Sequence, residues 1–264
     1  MNTLKKWLIG TLVAGAIIAG SIIPTKQKEE PQKREPIVIE KTINFENPQR
    51  TLNESLERLK PENISEIVYD PDFTHSDNYI KNRFVGHSRR LIEGYLDQAR
   101  IGTEGHVLCV TGIFDDTGNN KKRTVFARKS LLNSQGINCE ADLDSALYHE
   151  NIHAGEERYG YDFGERIIKG EELVSLFKDK KIRTELIALA GEFDAYSSQI
   201  ERAGKVEIKP SAIHILNATL NAHQTYSILE RSISKEILTP LEIRYTETKM
   251  TRHKETIETL KRMR

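Results

Sequence analysis

The chain has 264 residues, 38% hydrophobic and 30% charged, and its 39 basic and 39 acidic side chains cancel to a net charge of zero. That length allows one sizeable core with appendages. The neutral balance excludes the basic excess of a nucleic-acid-binding domain. At the N-terminus, Lys5 and Lys6 precede a run of 17 residues from Trp7 to Ile23 that contains no charge. Basic first and apolar second is the order of an export signal or an N-terminal membrane anchor. The run is at the short edge of what spans a bilayer, and Ala19-Gly20-Ser21 offers a cleavage site. Residues 1–23 are therefore read as one or the other, with everything after Pro24 placed outside the cytoplasm. Residues 24–42 combine three prolines with dense alternating charge and read as an extended linker. The folded domain is expected over 43–240, followed by a charged C-terminal helix over 241–264.

Within the domain, the spacing of Leu52, Leu56 and Leu59 predicts a helix over 51–60. ISEIVY at 64–69 reads as a strand ended by Asp70-Pro71-Asp72, and 87–100 reads as a helix. Two β-rich segments, 106–114 and 123–132, flank the turn signal Asp115-Asp116-Thr117-Gly118-Asn119-Asn120 and predict a hairpin. Asp142 is expected to cap a helix running to about Tyr159. A loop rich in glycine and aromatics follows, then helices at about 171–179, 183–203, 211–236 and 241–262. The last is sparse in apolar residues, which predicts weak packing or association with a partner. Cys109 and Cys139 can form a disulfide outside the cytoplasm or stay free. Asn53, Asn63 and Asn217 match the glycosylation acceptor pattern.

Residues 149–153 read HENIH, an H-E-x-x-H pattern. On a helix, positions four apart lie one turn above each other on one face. His149 and His153 can then aim imidazole nitrogens at one zinc ion. Glu150 sits beside them and can take a proton from a zinc-activated water and hand it to a leaving amine. With eight histidines in 264 residues, chance supplies roughly 0.02 such pentapeptides.

A catalytic zinc takes a third protein ligand and keeps a position open. The metzincin extension requires Gly at 156 and His at 159, where this chain has Glu156 and Tyr159. The hairpin, the H-E-x-x-H helix and a later glutamate helix, over about 104–203, resemble the gluzincin branch of the zincin-like metallopeptidases. That resemblance implies a third ligand from the later helix. Glu192 followed by Ala195 fits its E-x-x-A pattern, the small Ala195 letting the two helices lie close. Glu185 with Ala188 offers the same pattern two turns earlier, and Asp194, Glu171 and Glu172 are weaker candidates. Tyr159, Tyr161, Tyr196, His214 and His223 are candidates for holding an oxyanion.

These readings predict an α+β fold: a zincin-like domain with a small β-hairpin before the H-E-x-x-H helix and a largely helical C-terminal part. The resemblance implies a secreted or membrane-tethered zinc metallopeptidase acting on a peptide or protein substrate. His149, His153 and Glu192 would hold Zn2+, with Glu150 as the catalytic residue. Two other readings stay open: a membrane-tethered binding protein that keeps the zincin fold without activity, and a helical interaction protein in which HENIH is accidental.

Overall fold

The computed structural model describes residues 46–72, 74, 108–109, 123–127, 137–235 and 237–263. The N-terminal segment, the linker and the helix expected at 87–100 lie outside them.

Helix α1, Pro48–Leu59, starts where Asn47 accepts a hydrogen bond from the Arg50 N–H at 3.1 Å. Pro48 occupies the first turn, where a missing N–H is harmless. Leu52 is fully buried from this helix. Strand β1, Ile64–Tyr69, follows as the sequence predicts. Strands β2, Leu108–Cys109, and β3, Arg123–Ala127, pair antiparallel with Leu108 opposite Phe126 and Cys109 opposite Val125. This is the orientation the hairpin reading requires. Beyond that reading, β1 pairs parallel to β3, so β3 is central in the order β1-β3-β2. A parallel pair needs a long crossover, and the strand β1 pairs with is not specified by its own residues.

Helix α2, Glu140–Tyr159, carries the HENIH segment. Its cap differs from the expectation. Cys139 occupies the cap position without a side-chain capping bond, and Asp142 lies inside the first turn. Asp142 instead accepts from Asn138 N at 2.8 Å, from Ser211 N at 2.6 Å and from Ser211 Oγ at 2.9 Å. It ties the start of α2 to the start of a later helix. The expected loop after α2 contains a small ribbon, β4 (Tyr161–Asp162) against β5 (Ile167–Ile168).

Helices α3 (Gly170–Lys178), α4 (Thr184–Ala203) and α5 (Ala212–Ser234) match the predicted segments within two residues at each end. The single helix expected over 241–262 is broken at His253 into α6, Pro240–Arg252, and α7, Lys254–Lys261. Thr239 and Glu242 form a reciprocal capping box at the start of α6, a motif that satisfies two orphan donors. These two helices do not pack weakly. Tyr245, Lys249 and Leu260 are all fully buried.

At 3.6 residues per turn, α2 divides into faces. Leu143, Leu147 and Ala154 join Leu52, Ile64 and Ile67 in one apolar cluster. On the opposite face, Ser145, His149, His153 and Glu156 turn toward α4. A second cluster, including Phe163, Leu186, Phe193, Tyr226, Tyr245 and Leu260, binds α4 to α5, α6 and α7. The helix bearing the histidines thus lies between two cores. Among the described residues, no helix is long and apolar enough to cross a membrane, and residues 7–23 are not among them. Cys139 is buried. Asn63 is buried with its Nδ2 donating to the Asn151 carbonyl at 3.3 Å, which leaves no room for a glycan there.

Candidate metal centre

Three side chains from two helices meet at one point. His149 Nε2 and His153 Nε2 stand 3.1 Å apart on successive turns of α2. From α4, Glu192 turns one carboxylate oxygen to each imidazole, Oε2 to His149 Nε2 at 3.3 Å and Oε1 to His153 Nε2 at 3.4 Å. Hydrogen bonds to nitrogen centre near 2.9–3.0 Å, so these contacts are long for simple donor–acceptor pairs. Ligands sharing one tetrahedral zinc at about 2.0–2.1 Å stand about 3.3–3.4 Å from each other. The two carboxylate contacts match that ligand spacing, and the 3.1 Å between the imidazoles is a little shorter, so the group could hold one ion. Among the described residues, His149, His153 and Glu192 form the group that could hold a metal ion. Glu185, Asp194 and Glu172 are not part of it. Glu172 pairs with Arg166 at 2.9 Å, and Asp194 lies on the opposite side of α4.

The helices approach closely at this point. An added Cβ at Gly191, next to Glu192, would stand 3.3 Å from Glu156 Oε2 and 3.7 Å from both Cε1 and Nδ1 of His153. Gly191 supplies the close contact that the sequence reading assigned to Ala195, although Ala195 is also fully buried. The outer side of α2 is fixed to the sheet. Asn151, inside the HENIH segment, accepts from the Asn63 N–H at 3.0 Å. Gly155 makes room, since a Cβ there would come within 2.9 Å of Asn63 Nδ2. Arg158 donates to the Glu62 carbonyl at 2.8 Å.

The electrostatics suit a cation. Burial works against a charged His153, yet the charge and hydrogen bond of Glu192, with the charges of Glu150 and Glu156, raise its pKa to about 9. Burial also opposes the charge on Glu192, but His153 and His149 hold its carboxyl well below the usual range. The carboxylates that favour a proton on His153 favour a divalent ion in its place. Glu150 is buried, while the side chain of Glu192 is 42% exposed. The centre is closed on the protein side and open on one flank.

Of the five candidate oxyanion holders, Tyr196 stands at the centre. Its ring lies 4.4 Å from that of His149, one helical turn beyond Glu192. Burial raises its phenol pKa well above the ordinary value, and the charges of Glu192 and Glu150 add to the effect. Tyr159 is half exposed, beside Arg158. Tyr161 lies 6.3 Å from Tyr245. His214 is engaged with Gln199 at 2.7 Å, and His223 has a buried Nε2 without a partner.

A buried ionic cluster that includes Asp194 joins α2 and α4 to α6 and α7. The ammonium of Lys249 contacts both Glu156 and Asp194. Glu156 Oε1 also accepts from the Tyr245 hydroxyl at 3.0 Å. Asp194 Oδ1 lies 2.6 Å from His253 Nε2, whose Nδ1 lies 2.9 Å from Glu201 Oε1. Burial opposes the charge on Asp194, but His253 and Lys249 lower its pKa to about 2. A lysine in a sparse, charged helix gives no sign in sequence that it will be buried.

No protein family, no curated protein and no solved structure matches the chain.

Proposed function

We propose that this protein is a zinc-dependent peptidase of the gluzincin type, acting outside the cytoplasm, with His149, His153 and Glu192 as zinc ligands. The observation that carries this reading is the meeting of those three side chains at 3.1–3.4 Å from one another. Zinc in such a site acidifies water and polarises a carbonyl. Glu150, adjacent to His149 and buried, takes the proton from the attacking water and delivers it to the departing amine. Its charge bears on both His153 and Tyr196. Tyr196 stays protonated at neutral pH and can donate its O–H to the oxygen of the tetrahedral intermediate. The exposed flank of Glu192 is the side from which a peptide enters.

The test is Glu150→Gln in the full chain. The variant retains one equivalent of zinc and loses cleavage of a peptide library that the unmodified protein cuts. A protein that holds no zinc, or a variant that still cleaves, ends this reading.

A further inference from the structure

The zinc chemistry above does not use His253, the residue at which the C-terminal helical stretch breaks. We infer that His253 is a proton-operated latch: as the imidazolium it fastens the joint between α6 and α7 to α4, and loss of its proton loosens α7.

His253 belongs to both helices. Its backbone N–H donates to the Met250 carbonyl at 3.2 Å, closing α6, and its carbonyl accepts from the Ile257 N–H at 2.9 Å, opening α7. The side chain is buried, and each ring nitrogen meets a different carboxylate of α4. Nε2 lies 2.6 Å from Asp194 Oδ1, and Nδ1 lies 2.9 Å from Glu201 Oε1. A carboxylate only accepts, whereas a neutral imidazole has one N–H and one lone pair. A neutral ring would therefore turn a lone pair toward an anionic oxygen on one side. The imidazolium, with two N–H donors, satisfies both contacts.

The neighbouring charges are engaged elsewhere. Lys249, from α6, is shared between Asp194 Oδ2 and Glu156 of α2. Arg252, also from α6, lies 3.6 Å from Asp194 Oδ2 and pairs with Asp162. Thr256, from α7, donates its hydroxyl to Glu201 at 2.9 Å. Phe193 stands T-shaped to the His253 ring, and Tyr226 of α5, bonded to Glu230 at 2.7 Å, stands beside Phe193. Lys254 and Glu255 are exposed. Burial opposes the charge on His253, but the bonds and charges of Asp194 and Glu201 raise its pKa. The contribution of the latch is therefore complete below the ordinary histidine pKa of about 6.5 and is lost as pH rises through the raised value. Thr256, Ile257 and Leu260 of α7 are buried, so the proton controls the seating of a packed helix.

The test uses the full chain in excess chelator, so neither metal nor substrate enters and the outcome is separate from that of the zinc reading. Side-chain nitrogen resonances, assigned by their absence from His253→Gln, report the protonation of His253 directly. Amide hydrogen exchange in α7, taken as a ratio to α5 at the same pH, reports the seating of α7. His253 should carry both N–H protons at pH 6. Above its midpoint, α7 exchange relative to α5 should speed up at least about tenfold, the equivalent of one pKa unit. Glu201→Gln keeps the shape and offers an amide N–H to a neutral ring, so that a singly protonated His253 is satisfied. That variant should lower the His253 midpoint and flatten the pH dependence of α7. A His253 that is neutral at pH 6 overturns the inference. So does an α7 to α5 ratio that is constant across the midpoint, or a Glu201→Gln profile that matches the unmodified chain.

Discussion

Replacing Lys249 with methionine removes the cation shared by Glu156 and Asp194, whose side chains are only 11% and 5% exposed. Taking one partner from a buried ion pair costs about 3–5 kcal/mol, because the remaining charge is left without compensation. Here the remaining partners reduce that cost. Asp194 keeps His253 at 2.6 Å and Arg252 at 3.6 Å, and Glu156 keeps the Tyr245 hydroxyl at 3.0 Å. The low end, about 3 kcal/mol, is the expected loss. With a urea slope of roughly 2–3 kcal/mol/M, the midpoint falls by about 1 M. The measurement is equilibrium urea unfolding in excess chelator, so that altered metal binding does not enter the stability. A companion variant, Glu156→Gln with Asp194→Asn and Lys249→Met, leaves a neutral cluster of similar shape and should recover most of the loss. The reasoning fails if Lys249→Met costs less than about 1 kcal/mol, or if the neutral triple is no more stable than the single variant.

Two further outcomes follow from other contacts. Glu242, fully buried, accepts from Arg183 N, Nε and Nη2 at 2.8 Å each and from Thr239 N at 2.9 Å. Burial opposes its charge, but Arg183 lowers its pKa. Its contribution is therefore present above the ordinary glutamate pKa of about 4.3 and is lost as pH falls below it. Glu242→Gln should cost about 2–3 kcal/mol at neutral pH and flatten the acid side of a melting-temperature profile. Tyr196→Phe should keep zinc and lower kcat by about 100- to 1,000-fold, the cost of one oxyanion donor. A kcat within threefold of the unmodified value would assign the oxyanion to another group.

The elements most legible in sequence are those whose own residues fix them. The β1 boundaries follow from a β-rich hexapeptide stopped by Asp70-Pro71-Asp72, and β1 spans Ile64–Tyr69 as read. The long helices follow from their apolar spacing. What the sequence hid is long-range or depends on one contact. The parallel pairing of β1 with β3 joins segments far apart in the chain, and nothing within either one names its partner. Asp142 has the residue type of a cap, yet it bonds Ser211, 69 residues away, because α5 begins beside it. His253, where α6 gives way to α7, lies inside a stretch whose helical pattern runs on. Its imidazole is drawn to Asp194 and Glu201, a tertiary preference that local propensity does not record.

The centre divides in the same way. The meeting of His149 and His153 was readable because four-residue spacing on a helix fixes their relation before any folding. Glu192 was readable among its rivals through the small residue three positions on. The structure keeps that choice but moves part of the reason to Gly191, whose missing Cβ leaves space for Glu156 and His153. Lys249 was not readable at all, since Met250 is the nearest apolar neighbour in a run of polar residues. Only the meeting of α2, α4 and α6 turns it from a surface charge into a buried crosslink. The residues that could hold a metal answer largely to local spacing, and the ionic cluster beside them answers to the whole fold. It follows that changes at Lys249, far along the chain from HENIH, should loosen α2 against α4 while leaving the spacing of the histidines on their own helix intact.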